Sequence, residues 1–227
     1  MRIAGISSMA TRLVLGELAE LYRARTGAEV AIESVGGVDA AKRVKAGEAF
    51  DVVVLASNAI DSLLEAGRVV AGSKVDLVRS GVAVAVRAGA ARPDISNADA
   101  LRRALLQAKS VSYSTGPSGV HLMRVFERWG IADTIASRIV QAPPGVPVGS
   151  LVAKGDVELG FQQLSELMHL PGVDVLGPLP DDVQIVTTFS GGVCASAAVP
   201  DAARDFLAFM ASPAAEAAKR RHGMDPA

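Results

Sequence analysis

Short turns rich in serine and glycine open directly into helical stretches at Ser7-Ser8-Met9-Ala10, Gly36-Gly37-Val38-Asp39, Ser114-Thr115-Gly116-Pro117-Ser118-Gly119 and Pro144-Gly145-Val146-Pro147-Val148-Gly149-Ser150. A helix start exposes unpaired N–H groups and the positive end of aligned peptide dipoles, so it attracts an anion without any cationic side chain. Glycine lets the ligand come close to the backbone, and serine adds a hydroxyl donor. One such turn is an ordinary helix cap. Four of them in an alternating chain point to a shared anion site. The chemistry expected from these residues is recognition of a small anion.

Other chemistries lack their residues. His121, His169 and His222 are scattered and do not pair at metal-ligand spacing, so no metal site is expected. The glycines match neither the dinucleotide fingerprint nor the phosphate loop ending in Gly-Lys-Ser/Thr, and no cofactor is called for. A Gly-x-Ser-x-Gly nucleophile elbow is also missing. Cys194 is the single cysteine, in the apolar context Gly-Val-Cys-Ala, and reads as a small core residue.

The elements that must position the turns follow from periodicity. With 227 residues, 50% apolar and 21% charged, the chain can bury a substantial core. Its net charge of −1 supplies no global field toward nucleic acid or an anionic membrane, so neither partner is expected. No segment approaches the roughly 20 apolar residues of a membrane span, so no membrane insertion is expected. Strand-like runs at 2–5, 29–35, 51–55, 110–112 and 159–161 alternate with helical spacing at 13–22, 40–46, 57–66, 97–107, 118–129, 150–154 and 163–168. A β-rich passage spans 75–86 and a long strand 184–189. The tail from 201 to 221 reads as helix broken at Ser212-Pro213. Ser57 reads as the cap of its helix. This order implies an α/β fold with a parallel sheet and helices on both faces. Lys42, Arg43 and Lys45 read as a solvated face, as do Arg124 and Arg128; Phe126 and Trp129 read as core.

Against that framework, Gly5-Ile6-Ser7-Ser8-Met9, Gly36-Gly37 before Ala41-Lys42-Arg43-Val44-Lys45-Ala46-Gly47, Phe50-Asp51-Val52-Val53-Val54-Leu55-Ala56 and Glu158-Leu159-Gly160-Phe161-Gln162-Gln163 resemble the molybdate-binding solute receptors of ABC transporters. The resemblance runs from Ile3 to about Arg221. It implies a two-lobed type II periplasmic-binding-protein fold, a ligand cleft between the lobes, and two crossings near Ser80–Val82 and Ser190–Val193. Lobe 1 would comprise 1–80 plus 193–227, and lobe 2 residues 81–192. Residue matching implies a ligand site of Ser7, Ser8, Met9, Gly36, Gly37, Val38, Ser118, Gly119, Gly145, Val146 and Gln163. Ser8 aligns with one serine ligand, Gly37 stands where the receptors have a second serine, and Gln163 stands where they have a tyrosine.

Tyr113-Ser114 through Ser118-Gly119, Val152-Ala153-Lys154-Gly155-Asp156, Gln162-Gln163-Leu164-Ser165-Glu166-Leu167 and Pro171-Gly172-Val173 are similar to a divergent branch of that family, the aconitate isomerases. Two functions are therefore expected side by side. One is a monomeric small-anion binding protein, its ligand an organic di- or tricarboxylate or an oxyanion such as molybdate, its partner an ABC transporter permease. The other is a cofactor-free isomerase of an unsaturated tricarboxylate, with His121, Glu33 or Asp39 as candidate general base. No signal-like stretch precedes the first strand, so the compartment is periplasmic if a leader was removed and cytoplasmic otherwise.

Overall fold

Apolar runs of period two and period 3.6 follow one another along the chain, and each becomes the element its period dictates. A computed structural model describes residues 2–143 and 145–227. Strand β1 (Arg2–Ser8) leads through a single 3-10 turn at Met9–Thr11 into α1 (Arg12–Thr26). Then follow β2 (Glu29–Val35), α2 (Gly37–Lys45), β3 (Val52–Ala56), α3 (Ser57–Glu65) and the long β4 (Val75–Arg87). The middle of the chain supplies α4 (Ala98–Gln107), β5 (Val111–Tyr113), α5 (Pro117–Arg128), α6 (Ala132–Ile135), α7 (Val148–Lys154), β6 (Leu159–Gln163), α8 (Leu164–Leu167) and β7 (Val173–Pro178). It closes with β8 (Val186–Val193), α9 (Pro200–Ala211), α10 (Glu216–Arg221) and the short β9 (Asp225–Pro226).

The chain forms two compact units. One joins Met1–Ser80 to Thr187–Ala227, and the other is Gly81–Val186. The second crossing thus falls at Val186–Thr187, ahead of the boundary at 193 read from the sequence.

In the first unit β1 is flanked by β2 and β3, all parallel, and β8 adds to β3 antiparallel. Every residue of β3 is buried, as expected of a strand covered on both faces. Val52 and Val54 join a core with Leu15, Leu18, Phe206 and Leu207, while Val53 and Leu55 join one with Ala40, Val44, Ile60 and Leu63. Asp51 ties this sheet to the returning chain. Its buried carboxylate accepts from Ala4 N–H at 2.8 Å and from Ala198 and Val199 N–H at 2.7 and 3.1 Å, just before α9.

In the second unit β6 lies between β5, parallel, and β4, antiparallel, with β7 antiparallel on β4. Val82, Val84 and Val86 face Leu101, Leu105, Phe126 and Phe161, while Ala83 and Ala85 face Leu167. The purely parallel sheet read from the sequence is corrected to a mixed one, because β4 and β8 run against their neighbours. Ser57 is not a cap: α3 begins at Ser57 itself, and the cap position is Ala56.

Candidate functional site

Strands that run parallel release their following loops at one edge of the sheet, and in open α/β sheets that C-terminal edge is where ligands bind. In the first unit this edge gathers the ends of β1 and β2. Ser7 and Ser34 are in register across these strands, and their hydroxyls meet at 2.8 Å, one donating to the other. Ser7 Oγ also reaches the Ser8 carbonyl at 3.3 Å, which accepts from Thr11 Oγ1 at 3.1 Å. The Ser8 hydroxyl is different. The residue is only 7% exposed, yet its Oγ has no hydrogen-bond partner. A native structure rarely leaves a buried hydroxyl unsatisfied, so such a group asks for an occupant.

The start of α2 lies against it. A Cβ built on Gly37 would stand 3.5 Å from Ser8 Cβ, so the structure brings Ser8 and Gly37 together. Gly36 caps the helix in extended conformation, its carbonyl accepting from Ala40 N–H at 2.9 Å. The first-turn N–H groups, Gly37 and Val38 among them, have no intrahelical acceptor. Val38 is half exposed and Met9 half-buried at this edge.

In the second unit the ends of β5 and β6 provide the matching edge. Gly116 precedes α5, and its carbonyl accepts from Gly119 and Val120 N–H at 3.0 and 3.2 Å. Ser118 is buried in the first turn. Gly119 has a packing reason of its own: a Cβ there would fall 1.8 Å from the Ser114 carbonyl oxygen. Part of the serine-glycine signal at this turn is therefore steric. Gln163, buried, ends β6 in register with Val82 and opens α8. The loop before α7 runs beside β5, with Ala142 N–H donating to the Tyr113 carbonyl at 3.2 Å, and Gly145 and Val146 lie further along it. Gly145 adopts φ +78°, which favours glycine. Val146 N–H already donates to the Pro143 carbonyl at 3.0 Å. Pro144 of this turn lies outside the described residues.

The sequence reading missed a buried amide beside Gln163. Gln162 Oε1 accepts from Gly149 N–H at 3.0 Å in the first turn of α7, and its Nε2 donates to Glu166 Oε1 at 2.7 Å. The signal was present in the strand period: adjacent glutamines at the end of a buried strand must send their amides to opposite faces. Ser34 was legible in the same way, as the register partner of Ser7.

The proposed bases fare unequally. Glu33 is held by both terminal nitrogens of Arg43, at 2.7 and 2.9 Å, and this bond keeps its carboxyl below the ordinary glutamate value. Arg43 also grips Glu48 and lies over the Phe50 ring at 5.3 Å, so it is not the solvated residue expected from the sequence. Asp39 lies 3.9 Å from Lys42. His121 is exposed on α5. The Cys194 thiol is pushed up to about 12 by burial and then by Asp51, which fits its place in the core. Among the described residues no group of three His, Cys, Asp or Glu could hold a metal ion, and no helix is long and apolar enough to cross a membrane.

Comparison with known proteins matches residues 3–225 to the family described as bacterial extracellular solute-binding protein. A protein of a Pseudomonas species named aconitate isomerase is 40% identical over 216 residues, 92% of this chain and 82% of that protein. Among solved structures, the periplasmic molybdate-binding protein of Azotobacter vinelandii superposes with a TM-score of 0.82 at 21% identity, covering 98% of each chain. The sulfate-binding protein SubI of Mycobacterium tuberculosis superposes with a TM-score of 0.81 at 17% identity, covering all of this chain and 87% of that one. These two likenesses speak for the fold. The chain belongs to the bacterial extracellular solute-binding protein family, and it has the α/β fold of periplasmic solute-binding proteins.

Proposed function

We propose that this member of the solute-binding family acts on an unsaturated tricarboxylate, shifting a proton between the two carbons that flank its double bond. The observation that carries the reading is the 40% identity to a protein named aconitate isomerase, spread over 92% of this chain. The geometry supports it at the level of chemistry. Ser8 with the opening turn of α2, and Ser118 with Gln163, are donor sets suited to carboxylate oxygens. Helix starts aimed at a carboxylate also stabilise the enolate-like charge that develops when a neighbouring carbon loses its proton.

A second reading keeps the same ligand class without chemistry: the chain captures the anion and passes it to a membrane permease. The family's description and the oxyanion-binding proteins that share the fold favour this one. A periplasmic location belongs to both readings and is checked by cell fractionation.

One set of measurements separates them. Titration calorimetry compares cis- and trans-aconitate with molybdate, and proton NMR in deuterated water follows the bound tricarboxylate. The expected result is stronger binding of aconitate than of molybdate, with deuterium entering next to a carboxylate and the two isomers interconverting. Tight aconitate binding with an inert ligand supports the receptor instead. Molybdate binding with no carboxylate response overturns the ligand class.

A further inference from the structure

An isomerase needs a base within hydrogen-bond reach of the carbon it deprotonates. Glu33 is committed to Arg43, and its carboxyl is lowered by that bond. Glu166 is another candidate carboxylate. It stands on α8, which begins directly after Gln163 at the end of β6. A two-bond relay fixes it there: Gly149 N–H donates to Gln162 Oε1, and Gln162 Nε2 donates to Glu166 Oε1. Because Oε1 is occupied by an N–H, the amide has one orientation and can only donate toward Glu166. Gln162 is 3% exposed and cannot swing away. The relay also joins this carboxylate to the first turn of α7, just past the Gly145–Val146 turn.

Resting on the isomerase reading, we propose that Glu166 is the general base and that Gln162 positions it. The ionised Glu166 carboxylate takes a proton from the methylene carbon beside a substrate carboxylate. The C–H electron pair moves into the neighbouring double bond and is delocalised over the three-carbon unit and its carboxylates. The Glu166 carboxyl exchanges its proton with solvent while it holds it, then delivers a proton to the far carbon of that unit; the double bond ends one position over, and Glu166 is ionised again. Nothing is oxidised or reduced.

The test uses the full chain with trans-aconitate as probe. E166Q, close in shape, is expected to lower kcat by about a hundredfold or more while the calorimetric affinity changes by less than about threefold. E166D is expected to retain part of the rate. Q162E keeps an acceptor for Gly149 N–H but replaces the donor facing Glu166 by a carboxyl. Losing a donor to the charged form and gaining a like charge both raise the Glu166 pKa, so the acidic limb of kcat/KM is expected to move to higher pH. An E166Q protein that exchanges substrate protons at the wild-type rate overturns the base assignment alone. If E166Q does not fold, an unmoved acidic limb in Q162E overturns it. Wild-type protein that binds trans-aconitate yet exchanges nothing overturns the isomerase reading and the base with it.

Discussion

The Ser8 hydroxyl, buried and unpartnered, separates two effects that usually travel together. Replacing it by alanine removes a group the empty protein does not satisfy, so the ligand-free melting temperature is expected to stay level or rise slightly. Affinity for the anion is expected to fall by about 1–3 kcal/mol, the cost of a lost partner in a buried site. Calorimetry beside a thermal melt reads both, and unchanged affinity removes Ser8 from the site. Gly119 is the opposite case. A methyl group there meets the Ser114 carbonyl oxygen at 1.8 Å, so Gly119→Ala must displace the turn. It is expected to cost about 1–3 kcal/mol or more in a urea melt, with or without ligand. The sequence shows both residues as members of one serine-glycine pattern. It cannot show that one has a polar group to spare and the other has no room, because that depends on which atoms the fold brings beside them.

At the scale of elements, α1 is held to the end of α10 by charge. Glu17 accepts from Arg221 and lies 2.8 Å from His222 Nε2, and the Arg221 bond foremost holds its carboxyl below the ordinary value. A lowered folded-state pKa contributes stability above the unfolded value of about 4.3 and loses it as pH falls through the folded value. Glu17→Gln is therefore expected to destabilise the protein at pH 7, and the difference from wild type is expected to shrink in acid. Urea melts at both pH values check this; a difference that grows in acid contradicts it. Much of the element order was legible because β3 is an unbroken apolar run and α4 carries a clean helical apolar period. Strand direction was not. Nothing local in the Val186–Val193 segment says that it lies antiparallel on β3, since that pairing closes over the whole middle of the chain. Strand β7 went unread because its glycine and proline hide a short, half-buried alternation at Val173–Leu176.

At the scale of the molecule, the Gly81–Val186 unit is one uninterrupted stretch with apolar clusters made from its own residues. Expressed alone, 81–186 is expected to melt cooperatively; a gradual, non-sigmoidal loss of circular dichroism shows that it needs the rest of the chain. The other unit is not continuous, and its open side is β3, whose antiparallel neighbour β8 and covering helix α9 come from the returning segment. During synthesis this has a cost in time. Residues up to Ser80 emerge with β1, β2 and β3 ready to pair, but β3 has no second neighbour until the whole of Gly81–Val186 has been translated. At about 5–20 residues per second the wait is on the order of ten seconds, long enough for a bare, all-apolar strand edge to find another nascent chain.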